Sequence, residues 1–307
     1  MRIVFFGTPL FAVPSLEALL GAGAHVVAVV TQPDQPQGRS RSTLIAPPVK
    51  QVADRHRIPV LQPDRPAGDV FLAALRHVRP DLGVVVAYGH ILKPAVLALP
   101  GRGMINVHAS LLPRLRGAAP INWAILRGDP ETGVSIMQME PGLDSGPVLR
   151  QCATPIGPEE TAGALTERLA SLGAETLVAT LDLMRKDRLA PRPQDHAAAT
   201  FAPKIDRTVT RVRWGDDALA VSRRVRAFDP APAAWTTLEG VNVKLFRAKP
   251  VEGDGLPGEV LAVTPRLRVA TGRGAVDICE VQPAGKSRME AEAWGRGRGV
   301  RTGQVLE

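Results

Sequence analysis

Cysteine is scarce. The chain has two in 307 residues, Cys152 and Cys279, with no second cysteine near either. They can build neither a disulfide framework nor a cysteine-based zinc cluster, and both are expected as small buried hydrophobes. Aromatic residues make up only 4% of the chain, which leaves little material for a base-stacking platform. No apolar run reaches the roughly 18 residues of a membrane span, and Met1–Phe6 is too short for the apolar region of a signal peptide. Export and membrane insertion are therefore disfavoured, and a cytoplasmic protein without a membrane partner is expected. The first apolar run leads into Gly7-Thr8-Pro9 rather than the G-x-G-x-x-G that lets a backbone approach a pyrophosphate, so a dinucleotide site is not supported.

What is present is a globular vocabulary, 45% hydrophobic and 22% charged. At this length one core rarely suffices, so two domains are expected. The formal charge is +8, and residues 207–307 carry 17 basic against 12 acidic side chains, most of the excess in one third of the chain. Such a balance attracts polyanions without naming one; an Arg-rich solubilising surface is the plainer alternative.

Short apolar runs alternate with helix-like stretches: Arg2 to Phe6, then Leu16, Leu19 and Leu20 at helical spacing, then His25 to Thr31. This is the pattern of βαβ units in a parallel sheet. Gly21 and Gly23 mark the end of the first helix. Further strands are expected at Leu82 to Ala87, Met104 to Val107 and Val134 to Met139, and a long helix from Thr161 to Arg185. Residues 1–188 then form an α/β domain, 189–206 a Pro- and Ala-rich linker, and 207–307 a smaller module. In that module Asp217 to Phe228 predicts an amphipathic helix with Val221, Val225 and Phe228 inward and Arg223 and Arg226 on an exposed basic face. Short strands between Gly and Pro turns (Val241 to Phe246, Glu259 to Val263, Leu267 to Thr271, Ala275 to Val281) suggest a small β-barrel.

The most informative stretch is Asn106-Val107-His108-Ala109-Ser110-Leu111-Leu112-Pro113. Residues two apart on a strand share a face, so Asn106 and His108 project together at a strand end while Ile105 and Val107 pack behind. In open parallel sheets ligands bind outside that end. Taken singly, His108 reads as a core histidine satisfied by a carbonyl and Asn106 as a turn-former. As a polar pair interrupting an apolar strand just before a break, they read better as a site. Asp144, in Gly142-Leu143-Asp144-Ser145-Gly146, either makes an Asx-turn or folds back to orient His108. The polar insertion Gln32 to Pro48, holding Arg39 and Arg41, is longer than a strand-to-helix loop requires.

With these residues in view, the sequence resembles the folate-dependent formyltransferases, and among them the branch that acts on methionyl-tRNA. The resemblance runs through Phe6-Gly7-Thr8-Pro9, Gln32-Pro33-Asp34, Asn106 to Pro113, Arg116 to Ile121 and Gly142 to Gly146, and more weakly through Phe201 to Ile205, Arg226 to Pro230 and Gln282 to Lys286. It implies a Rossmann-like parallel sheet domain followed by an OB-like β-barrel, with 10-formyltetrahydrofolate as formyl donor, methionyl initiator tRNA as acceptor and no metal. A monomer is expected. By motif, Asn106, His108 and Asp144 correspond to the catalytic trio, and Ser110, Leu111, Leu112, Pro113, Tyr88 and Gly89 to the folate pocket wall. Arg39 and Arg41 correspond to a tRNA-facing loop, to which charge adds Arg223 and Arg226. Two alternatives stay open: formyl transfer to a small amine such as an amino-sugar nucleotide, and a noncatalytic RNA-binding protein on a Rossmann-like scaffold.

Overall fold

The computed structural model describes residues 1–37 and 43–307. Its strands are β1 (Arg2–Gly7), β2 (His25–Val30), β3 (Gln35–Gln37), β4 (Thr43–Ile45), β5 (Val60–Leu61), β6 (Leu82–Val86), β7 (Met104–His108), β8 (Glu131–Gln138), β9 (Val148–Pro155), β10 (Ala234–Leu238), β11 (Val241–Val251), β12 (Val260–Ala262), β13 (Leu267–Ala270), β14 (Ala275–Pro283) and β15 (Met289–Glu290). The helices are α1 (Val13–Gly21), α2 (Pro48–Arg55), α3 (Asp69–His77), α4 (Pro94–Leu97), α5 (Pro120–Arg127), α6 (Ala162–Arg185), α7 (Arg207–Thr210), α8 (Ala218–Ala227) and α9 (Ala291–Arg296). The chain divides into two compact units. One comprises Met1–Gly117, Thr132–Thr154 and Thr166–Phe201; the other comprises Ala118–Glu131, Pro155–Leu165 and Ala202–Glu307.

The first unit is built on a seven-stranded sheet ordered β5-β2-β1-β6-β7-β8-β9. Its first five strands are mutually parallel. Sheet faces covered by helices on both sides demand strands that are near-continuously apolar, and β1 meets that demand from Ile3 to Phe6: Ile3 and Phe5 join α1, α2 and α6 side chains in one core layer, while Val4 and Phe6 join Phe71 and Leu75 of α3 in the other. The chain passes from β1 to β2 on one side and to β6 on the other, so the order reverses beside β1, at the carboxyl ends where α/β sheets bind ligands. Beyond these five strands, β8 runs antiparallel to β7. An apolar run records burial and not direction. Helix α1 ends as the glycines foretold, with Gly23 at φ 69 and the Ala24 amide bonded back to the Leu19 carbonyl.

The 189–206 stretch, expected as a linker, belongs to the first unit as far as Phe201. It pairs with β9 through reciprocal Val148–Arg192 backbone bonds.

The second unit contains the antiparallel sheet β10-β11-β14-β13-β12, with β15 on β14. The sheet curls as the OB-like reading expects, and the C-terminal residues bridge both of its edges, Leu306 to Leu238 of β10 and Val305 to Glu259 beside β12. Covering edges in this way removes templates for aggregation. Helix α8 starts at the Asp217 cap, whose carboxylate accepts from the Ala220 amide at 2.8 Å. It lays Val221, Val225 and Phe228, all fully buried, into the core.

Candidate active site

Strand β7 separates its side chains as the alternation predicts. Ile105 and Val107 join the helix-covered core, whereas Asn106 is half-buried and His108 is 6% exposed at the strand's end. The His108 Nε2 lies 2.9 Å from the Leu115 carbonyl. A carbonyl only accepts, so Nε2 carries the proton and donates it. Nδ1 is the nitrogen left facing Asp144, whose Oδ2 stands 3.7 Å away. That separation is too long for a hydrogen bond and suits an ion pair once the ring gains its second proton.

Asp144 is held by partners outside its own loop. Its Oδ2 accepts from the Gly117 amide at 2.8 Å, 27 residues away in sequence, so the carboxylate bond that an Asx-turn would direct to its own loop goes to the turn after His108. The backbone there is tightly coiled, with Asp144 at φ 46 and Gly142 at φ 138. Aspartate is one of the few residues that accepts such a conformation at modest cost. The two turns lock each other: Leu115 fixes the imidazole and Gly117 fixes the carboxylate.

The Ser110–Pro113 turn is pinned from β8 by a residue that the sequence reading missed. Ser135, fully buried and opposite His108 across the β7–β8 ladder, donates to the Ser110 carbonyl at 2.6 Å. It accepts from the Leu112 amide at 3.0 Å and from the Gln151 Nε2 at 2.9 Å. The Gln151 amide also donates to the Leu112 carbonyl. Ser110 turns inward too, its hydroxyl donating to the Arg114 carbonyl. Leu112, Pro113, Gln151, Arg192 and Gln194 border a cavity of about 330 Å³.

One strand over, Tyr88 and Gly89 follow β6. The Tyr88 carbonyl accepts from Thr8 Oγ1 and from Gln32 Nε2, both at 3.1 Å, tying together the ends of β1, β2 and β6 at the switch in strand order. Gly89 sits at φ 86, and a Cβ there would collide with the Gln32 amide. The Tyr88 ring packs edge-on against Phe6. Its hydroxyl is buried with no hydrogen-bond partner among the described residues. Burial pushes that phenol up to about 12, so it is a standing donor at neutral pH. Its ring belongs to the core layer that holds Val4, Phe6, Phe71 and Leu75.

The charged candidates fare unevenly. Arg39 and Arg41 lie outside the described residues; the flanking β3 and β4 form an antiparallel ribbon. The exposed basic face expected on α8 is corrected. Arg226 is 6% exposed and its guanidinium donates to the Glu160 carbonyl at 2.9 Å; burial, with Arg223 nearby, holds it below the ordinary arginine value. Arg224 is buried as well and donates to the Val209 carbonyl. Helix α5 packs on α8 and caps its last turn through Asn122 Nδ2 to the Ala227 carbonyl at 2.7 Å. Arg223 alone of the pair keeps partial exposure. Of the two cysteines, Cys279 is buried as expected and Cys152 only partly.

Residues 1–181 match the formyl transferase family, and residues 204–299 match the formyl transferase C-terminal domain. The chain belongs to the formyltransferase family. It is 51% identical over 295 residues, 95% of either chain, to a methionyl-tRNA formyltransferase of Methylococcus capsulatus. Solved structures with the same fold include HypX from Aquifex aeolicus in complex with tetrahydrofolic acid (TM-score 0.69, 22% identity, 96% of this chain), of which this formyltransferase spans about half, 47%. They also include WlaRD, a sugar 3N-formyltransferase solved with dTDP and 5-N-formyl-THF (TM-score 0.67, 17% identity, 94% of this chain and 99% of the other). Fold alone therefore does not distinguish an aminoacyl-tRNA acceptor from a sugar; the 51% identity to the methionyl-tRNA formyltransferase spans both units.

Proposed function

We propose that this formyltransferase moves the formyl group of 10-formyltetrahydrofolate onto the α-amino group of methionyl initiator tRNA, preparing it for translation initiation. The observation that carries the chemistry is the meeting of Asp144 with the His108 ring, 3.7 Å apart, on the strand face that also presents Asn106. In the reaction the amino nitrogen attacks the formyl carbon, a C–N bond forms, and the carbonyl electron pair moves onto oxygen. Collapse restores the carbonyl and breaks the bond to N10 of the folate. The amine gives up one proton and N10 gains one.

The oxyanion needs preformed donors. The Asn106 amide supplies one. With Nε2 committed to Leu115, His108 supplies the other through protonated Nδ1, the edge facing Asp144; losing one such donor typically costs about 10²- to 10³-fold in rate. Asp144 accepts the proton of the attacking nitrogen, directly or through water. Ser110, Leu111, Leu112 and Pro113 with Tyr88 and Gly89 form the folate wall on neighbouring strand ends. Arg39, Arg41 and Arg223 contact the tRNA, and the enzyme works as a cytoplasmic monomer. Residues 1–188 supply the chemistry and 207–307 contribute to tRNA binding.

The test is formylation of charged initiator tRNA with a labelled formyl donor. Asn106→Ala, His108→Ala and Asp144→Ala are each expected to lower turnover far more than donor affinity. A wild-type rate for His108→Ala overturns the mechanism, and transfer of label to an amino sugar but not to tRNA overturns the acceptor.

A further inference from the structure

Gln194 lies in a Pro-rich stretch that has no periodicity, yet its side chain is 8% exposed and fully engaged. Its Oε1 accepts from Arg116 Nε at 3.1 Å and from a second nitrogen of the same guanidinium at 2.7 Å. Its Nε2 donates to the Asp144 carbonyl at 2.9 Å and to the Gly146 carbonyl at 2.7 Å. One primary amide can offer two protons and two lone pairs, and here all four are used. The same strap reaches the His108 side of the site. Thr200 Oγ1 accepts from the Leu115 amide at 2.9 Å, and the Thr200 carbonyl accepts from the Arg116 amide at 2.8 Å. His196 Nδ1 sits 3.2 Å from the Arg116 guanidinium. Leu115 is the residue whose carbonyl fixes the imidazole, and Asp144 is the residue whose carboxylate faces it.

We propose that residues 194–200 form a positioning strap, with Gln194 as its clasp, that sets the distance between the Asp144 carboxylate and the His108 ring. Gln194 touches neither group's reacting atoms. It acts by holding the coiled 142–146 backbone, whose left-handed turn has no regular ladder to hold it, at a fixed height against the 114–117 turn. Polar networks that are fully satisfied in a buried setting specify one arrangement and are costly to leave half-made. Displacing a catalytic group by about 1 Å costs on the order of 10²-fold in rate. The strap rests on the assignment of Asp144 and His108 under Proposed function.

The near-isosteric Gln194→Glu separates the two halves of the clasp. The carboxylate keeps, and by charge strengthens, the acceptance from Arg116, but it has no proton to give the Asp144 and Gly146 carbonyls. The expected result is a kcat lowered about 10- to 100-fold with KM for the formyl donor within a few-fold of wild type, and an altered pH–rate profile. In combination with Asp144→Asn, the Gln194→Glu change should add little further loss, because it acts only through Asp144; independent sites would multiply. Should Gln194→Glu fail to fold, as judged by its thermal transition, Gln194→Met, uncharged and similar in length, removes the whole clasp and is read by the same kcat, KM and double-variant measurements. Wild-type kcat for a folded variant, or full multiplicativity with Asp144→Asn, overturns the strap. Wild-type turnover by Asp144→Asn alone overturns instead the site assignment on which it rests.

Discussion

Ser135→Ala is the sharpest probe of how the strand end is built. The hydroxyl lies at a fully buried position and serves three partners at 2.6, 3.0 and 2.9 Å. Alanine fits the space, so no steric term enters. What it leaves behind is the Leu112 amide without its acceptor and the Ser110 carbonyl without its donor; Gln151 keeps the Leu112 carbonyl. A buried group stripped of its partner costs about 1–3 kcal/mol, and two such groups with some relaxation give roughly 2–4 kcal/mol. For a chain of this size that corresponds to a fall in Tm on the order of 5–10 °C. The loss is local to the turn expected to wall the folate, so KM for the formyl donor should rise several-fold while kcat, which the proposed mechanism assigns to His108 and Asp144, changes less. Calorimetry and donor saturation curves read the two effects separately. Gln151→Leu removes two weaker, partly exposed bonds and should reproduce the pattern at smaller amplitude. A Ser135→Ala variant that melts within 1–2 °C of wild type would refute the reasoning.

Three further outcomes follow from other parts of the molecule. Gly133 on β8 has no room for a side chain: a Cβ would strike the Cys152 carbonyl and come within 2.6 Å of Leu111 Cδ2, so Gly133→Ala should destabilise by about 1–3 kcal/mol and weaken donor binding through Leu111; unchanged melting and KM argue against that packing. Burial raises the Glu280 carboxyl, but Arg288 and Arg247 outweigh it and hold the group below its ordinary 4.5. A depressed folded value stabilises at higher pH and is lost as pH falls through it, so urea midpoints should show a wild-type advantage over Glu280→Gln that is constant near neutrality and shrinks below about pH 4.5; an advantage independent of pH contradicts the linkage. With a polyanionic acceptor, kcat/KM for tRNA should fall steeply and log-linearly with salt, whereas a flat response would favour a small acceptor.

The parts of this molecule that could be read from sequence are those encoded by local periodicity. Strand β1 is apolar from Ile3 to Phe6 because both faces are covered, and β7 alternates, so Asn106 and His108 could be placed on one face without coordinates. Asp144 was reachable because glycines bracket it just after a strand. The direction of β8 was not, since hydrophobicity is blind to polarity of pairing. Strand β9 was missed because most of its residues are at least partly exposed and carry no apolar signal. Strand β10 was missed because its central inward residue is Thr236, whose hydroxyl accepts from Trp214 Nε1 and donates to the Glu307 carbonyl. Arg226 misled for a related reason. A helical arginine reads as solvent-facing unless a distant acceptor exists, and its acceptor, Glu160, is 66 residues away.

The same rule explains why the residues that brace the candidate site stayed hidden while Asn106, His108 and Asp144 did not. Gln194 reaches Asp144 across 50 residues and Arg116 across 78; Thr200 reaches Leu115 across 85. Bonds of that span leave no period in the chain, and an amide in a Pro-rich segment has the composition of a linker. They also concentrate the cost of error. Each closes a long loop whose ordering entropy must be offset before the contact contributes, so the 114–117 and 142–146 turns can reach their final positions only after the sheet and strap have formed. Amide exchange at Leu115 and Gly117 should therefore report opening of the strap while β1 and β6 stay protected. Equal protection at all four places would mean that the turns are held by the sheet alone and that the strap is incidental.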